Sequence, residues 1–224
     1  MNRRQLLVGI VVLAIIAIGI VSYMVFSNSS PDATLTSGGA PKFDMALVPD
    51  DRGQGNPKAP VMIVEYAAPT CPHCAHFDET MFPVLKKDYI DTGKAYYVFR
   101  VLPLSQIDVA AEAMARCLPA ENYFSFIDML FRNQDKWDPD GYQIPDVHAA
   151  LVNMGRVAGM SADQVDSCIN DQAAQKRATD VGQTAETKYG INSTPTFIVN
   201  GVTAPPWETI EEMKKYMDSI VAKK

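Results

Sequence analysis

A short apolar run that ends on two closely spaced cysteines constrains this chain more than any other stretch. Val61–Met62–Ile63–Val64–Glu65–Tyr66 has the length and β-branched content of a strand buried on both faces, and Thr70–Cys71–Pro72–His73–Cys74 follows directly. Proline is favoured at the first helical position, so Pro72 starts a helix, Cys71 becomes its N-cap and Cys74 lies one turn on, on the same face. Free backbone N–H groups and the positive end of the helix dipole point at an N-cap, which favours Cys71 as a thiolate. Cys71 is then the sulfur that attacks or is attacked, and the more enclosed Cys74 resolves. His73, when cationic, adds positive potential beside Cys71. A thiol stabilised as thiolate favours the dithiol, so the corresponding disulfide is a strong oxidant.

Other uses of this spacing fit less well. A zinc knuckle needs two further ligands, and Cys117 and Cys168 do not form a second Cys-x-x-Cys, while His76 alone does not complete a set. A c-type haem site needs His directly after the second cysteine, where Ala75 stands. An inert structural disulfide would leave the helix dipole unused. No metal and no cofactor is expected.

The helix from Cys71 carries Phe77, Met81, Phe82, Leu85 and Tyr89, with Pro83 expected to kink it. After a turn at Asp91–Lys94, Ala95–Val101 reads as a second strand, giving a β-α-β unit. Far downstream, Thr196–Val199 and Val202–Thr203 read as a hairpin around Asn200–Gly201, and a last helix covers about Trp207–Val221. Between these halves the spacing is helical: Ile107–Leu118, Tyr123–Phe131, Pro145–Gly155, Ala162–Asn170 capped by Ser161, and Ala173–Tyr189. The class is α/β, in the order of a thioredoxin fold with an inserted helical domain. The first half is placed at 58–105, the insert at 106–178 and the second half at 179–224.

Gln5–Phe26 holds 22 residues without a charge, preceded by Arg3 and Arg4. At about 1.5 Å per residue this run spans a hydrocarbon core of roughly 30 Å. The arginines keep the start cytoplasmic and put the rest outside. Residues 1–26 are therefore expected to be a transmembrane signal-anchor. The rival is a cleaved signal peptide, whose apolar region is usually about 7–15 residues; Asn2–Leu7 also loosely resembles a twin-arginine signal. Residues 27–57, rich in Ser, Gly, Pro, Asp and Thr, read as a flexible tether. Arg3 and Arg4 are two of the 20 basic residues, so from Ser27 onward 18 basic residues face 26 acidic ones, which argues against a nucleic-acid partner.

Taken together, the motifs resemble the thiol:disulfide interchange family of the DsbA type. The resemblance rests on Gly55–Asn56–Pro57–Lys58–Ala59–Pro60–Val61, Glu65–Tyr66, Cys71–Pro72–His73–Cys74 and Ile191–Asn192–Ser193–Thr194–Pro195–Thr196–Phe197, and covers Asp50 to the C-terminus. It implies that Pro195 is a cis proline facing the disulfide and that Thr194 offers its backbone to an extended substrate. It also implies that Glu65, six residues before Cys71, is a buried acid serving proton transfer at Cys74. A carboxylate inside an otherwise apolar strand is costly unless protonated or partnered, which agrees. Thr194 stands where the best-known oxidases carry Val, and Thr there is common in isomerase relatives, so an isomerase or reductase is the alternative to an oxidase. A non-redox holdase that binds extended chains is a further one.

The resemblance places the protein in the bacterial periplasm, held to the inner membrane through residues 5–26 or soluble after cleavage. Its partners would be reduced or unfolded exported proteins and a membrane quinone-linked re-oxidase. Free thiols beside an oxidant would not last outside the cytoplasm, so Cys117 and Cys168 are expected to form a structural disulfide, with a redox-shuttling role as the rival reading. Closing their loop is worth about 4 kcal/mol in the chain-entropy model.

Overall fold

β2 (Val61–Ala67) is the strand against which the rest of the sheet is laid. It pairs in parallel with β3 (Ala95–Val101), Val61 opposite Ala95 through Ala67 opposite Val101, and antiparallel with β4 (Thr196–Val199), Ile63 opposite Val199. β1 (Arg52–Gly55) closes one edge antiparallel to β3, and β5 (Val202–Thr203) closes the other beside β4, for the order β1-β3-β2-β4-β5. The computed structural model describes residues 43–223; the expected membrane segment at 5–26 and the tether as far as residue 42 lie outside them. Among the described residues, no helix is long and apolar enough to cross a membrane.

Both faces of β2 are covered, which is why its sequence is apolar without alternation. Val61, Ile63 and Ala67 join the larger core with Phe77, Leu85 and Trp207. Val64 and Tyr66 face the other way, with Met45, Val98, Ala185 and Ile198. Period-2 geometry therefore turns Glu65 toward the larger core.

The first helix is interrupted earlier than Pro83. α1 (Pro72–Thr80) ends at Met81, α2 (Phe82–Leu85) starts afresh, and Lys86–Ile90 continues as a wider π turn. Pro83 lacks the N–H that would meet the Glu79 carbonyl and its ring crowds that carbonyl, so the break falls upstream of the proline.

The insert is helical as expected: α3 (Gln106–Cys117), α4 (Tyr123–Phe131), α5 (Gln134–Trp137), α6 (Val147–Val157) and α7 (Ala162–Ile169). α8 (Gln172–Tyr189) runs unbroken through residue 178, so the division placed there falls inside one helix. It ends on Gly190 with φ 65°, a left-handed cap that glycine adopts without strain. Cys117, at the end of α3, is disulfide-bonded to Cys168 of α7 with Cα atoms 6.1 Å apart. α9 (Ile210–Val221) starts three residues after Trp207, because the Thr209 side chain accepts the Glu212 N–H at 3.2 Å and fixes the N-cap there.

Residues 43–57 correct the sequence reading of a tether as far as residue 57. Met45 is buried, and Arg52–Gly55 is a sheet strand. An ion pair holds them: Arg100 on β3 donates from Nε to Asp51 Oδ1 and from Nη2 to Asp51 Oδ2, each at 2.8 Å, and from Nη2 to the Ala46 carbonyl at 3.0 Å. Both side chains are under 10% exposed, at 8% and 6%. Polar composition hid this anchor, since the partner that makes it fold lies on a different strand.

Removing one partner of a buried pair leaves an uncompensated charge. Asp51→Ala is therefore expected to lower unfolding free energy by roughly 3–5 kcal/mol, against about 0.5 kcal/mol or less for Asp180→Ala, whose pair with Lys176 is exposed. Denaturant titration of the two variants checks the contrast.

Candidate active site

Everything at the site is referred to the Cys71 sulfur. β2 delivers the chain to a turn over Ala68–Thr70, closed by the Cys71 N–H on the Ala68 carbonyl at 3.0 Å. Cys71 then caps α1 in extended geometry, φ −73° and ψ 118°, with Pro72 in the first turn where a missing N–H costs nothing. In this conformation the Cys74 N–H donates to Cys71 Sγ at 3.3 Å. Across the groove, the loop before β4 brings the Thr194 carbonyl to 3.5 Å from the same sulfur, and the Thr194–Pro195 peptide bond is cis. The two cysteines are free thiols here, so the structure is the dithiol form.

The environments of the two sulfurs push them apart. Cys71 is brought down to about 6, chiefly by the Cys74 thiol donating to it, working against burial; the Thr194 side chain and the N–H groups of Cys74 and His73 add to the effect. Cys74, fully buried, is driven well above the ordinary thiol range by desolvation, by that same hydrogen bond and by the charges of Glu65 and Cys71. His73 and Pro72 are exposed on the first turn. The His73 backbone N–H is among the groups that lower Cys71, and His73 also lines the neighbouring groove.

Glu65 is 2% exposed and faces the same core as Cys74. Burial lifts its carboxyl to about 8; a hydrogen bond from the Tyr97 hydroxyl to Oε2, at 2.5 Å, opposes this, and the charges of Asp78 and Cys71 reinforce it. Asp78 sits one turn beyond Cys74 on α1 and is itself raised to about 8, by burial first and then by its neighbour Asp128. Glu65, neutral at physiological pH, carries a proton that it can donate within the protein interior, which an ionised carboxylate does not.

Beside the sulfur lies a cavity of about 660 Å³, lined by His73, Phe77, Thr194, Pro195 and Trp207 among others. Its wall is aromatic: Phe197 stacks on Trp207 at 4.5 Å and meets Phe77 at 4.5 Å. Such a groove with polar edges at Thr194 and Thr196 suits an extended chain with apolar side chains.

The structure thus gathers Cys71, Pro72, His73, Cys74, Glu65, Thr194 and Pro195 at one place. Cys117 and Cys168 form their disulfide within the insert. Four further residues escaped sequence reasoning: Tyr97, Asp78, Asp108 and Gln134. Tyr97 was legible only as one more aromatic in a strand. Asp108 (the third residue of α3) and Gln134 carry a signal only as polar residues inside apolar stretches, and each reaches the cysteine turn through folding alone.

The family model described as Thioredoxin matches residues 48–219. A Rickettsia typhi protein that carries the name of a protein-disulfide oxidoreductase is 34% identical over 171 residues, which make up 75% of this chain and 61% of the relative, so the chain spans under two thirds of that protein's length. The crystal structure of Wolbachia pipientis alpha-DsbA1 superposes with a TM-score of 0.73 at 30% identity, covering 80% of this chain and 94% of that one. Oxidised BdbD from Bacillus subtilis shares the fold, with a TM-score of 0.68 at 20% identity over 83% of this chain and all of its own. The chain therefore belongs to the thioredoxin family, and within it is similar to DsbA-like proteins.

Proposed function

We propose that this protein is a thiol:disulfide oxidoreductase that donates its Cys71–Cys74 disulfide to exported proteins. The observation that carries the reading is Cys71 Sγ, held at a helix N-cap with its pKa lowered to about 6, directly opposite a cis-proline loop. A substrate thiolate attacks Cys71 Sγ of the disulfide, a mixed disulfide forms, and the Cys71–Cys74 bond breaks with its electron pair on Cys74. Cys74, a strong base in this setting, takes a proton, for which neutral Glu65 is the donor. A second substrate thiolate then attacks the substrate sulfur, and Cys71 leaves as a stable thiolate. The substrate has lost two electrons and gained a disulfide, and the protein holds the dithiol. Thr194 and Pro195 are the residues proposed to line the bound chain.

Return to the disulfide requires an electron acceptor, and a membrane quinone-linked re-oxidase is the partner proposed. Residues 5–26 are proposed to hold the protein at the inner membrane, facing the periplasm. The five segments, divided after residues 26, 57, 105 and 178, remain the proposed organisation, with the shifts noted above at 43–57 and 178. Thr194 favours a second reading, an isomerase of the same fold. The equilibrium of the Cys71–Cys74 pair with glutathione decides between oxidant and reductant: a strongly oxidising value is expected, and one near that of thioredoxin would overturn the reading. Cys71→Ala is expected to abolish oxidation of a reduced test protein; retained oxidation would refute the assignment of the nucleophile.

A thiol whose folded pKa is depressed stabilises the fold above its unfolded pKa, and that contribution is lost as pH falls through the folded value. The dithiol form is therefore expected to lose on the order of 3 kcal/mol relative to the disulfide form between about pH 8.5 and pH 6. Melting temperatures of the two forms across that window check it.

Glu65 has the opposite sign. Its folded pKa is raised to about 8, so it destabilises the fold increasingly from about pH 4.5 up to 8. Glu65→Gln is expected to stabilise the protein by about 2–4 kcal/mol at pH 7, with a gain that grows over that window and then levels off. The same variant is expected to slow release of Cys74 in single-turnover disulfide exchange and to flatten its pH dependence.

A further inference from the structure

The turn that carries Cys71 is held largely from outside its own half of the fold. Ala68, Thr70 and Cys71 are each 5% exposed or less, so their polar groups need protein partners. Both partners come from the helical insert. The donors of Thr70 go to Asp108: the backbone N–H to Oδ1 at 2.9 Å and the hydroxyl to Oδ2 at 3.1 Å. The acceptors on either side of Thr70 take the side-chain amide of Gln134, whose Nε2 donates to the Pro69 carbonyl at 2.8 Å and to the Cys71 carbonyl at 3.1 Å. Gln134 is buried and opens α5, more than 60 residues along the chain from the carbonyls it holds.

The two bonds of Gln134 differ from ordinary packing in what they restrain. An amide nitrogen carries two hydrogens, one for each carbonyl. The Cys71 carbonyl already accepts the Ala75 N–H at 3.1 Å as the first turn of α1, and the Gln134 bond fills its second lone pair. Rotation about ψ of Cys71 swings that carbonyl, together with the N–H groups that follow it, relative to Sγ. Pinning the carbonyls of Pro69 and Cys71 therefore fixes where the helix N–H groups point with respect to the sulfur.

We propose that Gln134 is a positioning residue for the Cys71 sulfur: its amide, presented by the insert, holds the cysteine turn so that Sγ stays in register with the Cys74 N–H. The inference rests on the reading of Cys71 as the nucleophile. It gives the insert a part in the chemistry as well as in covering the site. Whatever loosens α5 weakens the thiolate, and the thiolate form in turn favours a docked α5, since coupling of this kind is reciprocal.

The test uses the full chain and the thiolate ultraviolet absorbance of Cys71 against pH, with the glutathione equilibrium measured in parallel. Gln134→Met keeps the length and the packing but deletes both donors. Its titration midpoint is expected to rise by about one pH unit, with the glutathione equilibrium moving about tenfold toward the disulfide. Gln134→Glu, which sets an acceptor against two carbonyls, is expected to move both further. Asp51→Ala serves as the control for destabilisation alone, because its ion pair with Arg100 involves none of the residues of the cysteine turn; its midpoint is expected to stay at the wild-type value. If Gln134→Met does not fold, Gln134→Asn, which keeps the amide but withdraws it by one methylene, is expected to give the upward shift. A wild-type midpoint near 6 that is unchanged in the folded Gln134 variants overturns this inference alone, leaving Gln134 structural. A wild-type midpoint in the ordinary thiol range overturns the nucleophile assignment and this inference with it.

Discussion

The convergence of hydrogen-bond donors on Cys71 Sγ, the Cys74 N–H at 3.3 Å among them, is the constraint to which the rest of the site is fitted. Burial by itself would raise a thiol at that position, since a charged sulfur loses water. Hydrogen bonds from the Cys74 thiol, the Thr194 side chain and two backbone N–H groups outweigh that loss and bring Cys71 down to about 6. A site of this kind must be dry enough for the bonds to be strong and rigid enough for several donors to converge on one atom. The buried strand β2, the proline at the first turn of α1 and the insert each supply part of that rigidity.

The second half of the chemistry depends on asymmetry between neighbours. Cys71 and Cys74 are three residues apart on one helix, yet one is pushed down and the other far up. The hydrogen bond between them contributes to both shifts, because a proton kept on Cys74 is what stabilises charge on Cys71. Glu65 completes the arrangement from the strand beneath, kept neutral by burial and held in place by Tyr97. In the proposed reaction, groups with pKa values driven apart by their surroundings divide the roles of leaving group and proton donor between them.

Much of this was legible in the sequence, for reasons that differ from element to element. β2 and β3 announced themselves because both are buried on two faces and read as apolar runs. The turn at Asn200–Gly201 was equally plain, since both residues take positive φ, 50° and 82°, in a tight hairpin. β1 was not legible, because two of its four residues are glycines. For Gly53 the reason lies on the neighbouring strand, where a Cβ would fall 2.2 Å from the Tyr96 hydroxyl; Gly55 instead has φ 93°, in the left-handed region. Motif spacing was enough to single out Cys71, Cys74 and Glu65, and the cis Thr194–Pro195 bond was what the family resemblance implied. Gln134 could not be read in either way, since its partners are backbone carbonyls, which have no sequence identity to match.

Thr194 shows why the groove and the redox chemistry cannot be varied independently in this protein. Its carbonyl faces Cys71 at 3.5 Å and its side chain helps hold the thiolate, while the same residue lines the cavity beside Phe77 and Trp207. A substitution there that reshapes the groove also removes a donor from the sulfur, and one that retunes the sulfur also alters the edge along which an extended chain would lie. Residues farther out on the aromatic wall, such as Trp207 stacked on Phe197, touch the groove without being among the groups that act on Cys71. The shape of the groove is therefore free to change at the wall, whereas the residue before the proline faces the groove and the sulfur at once.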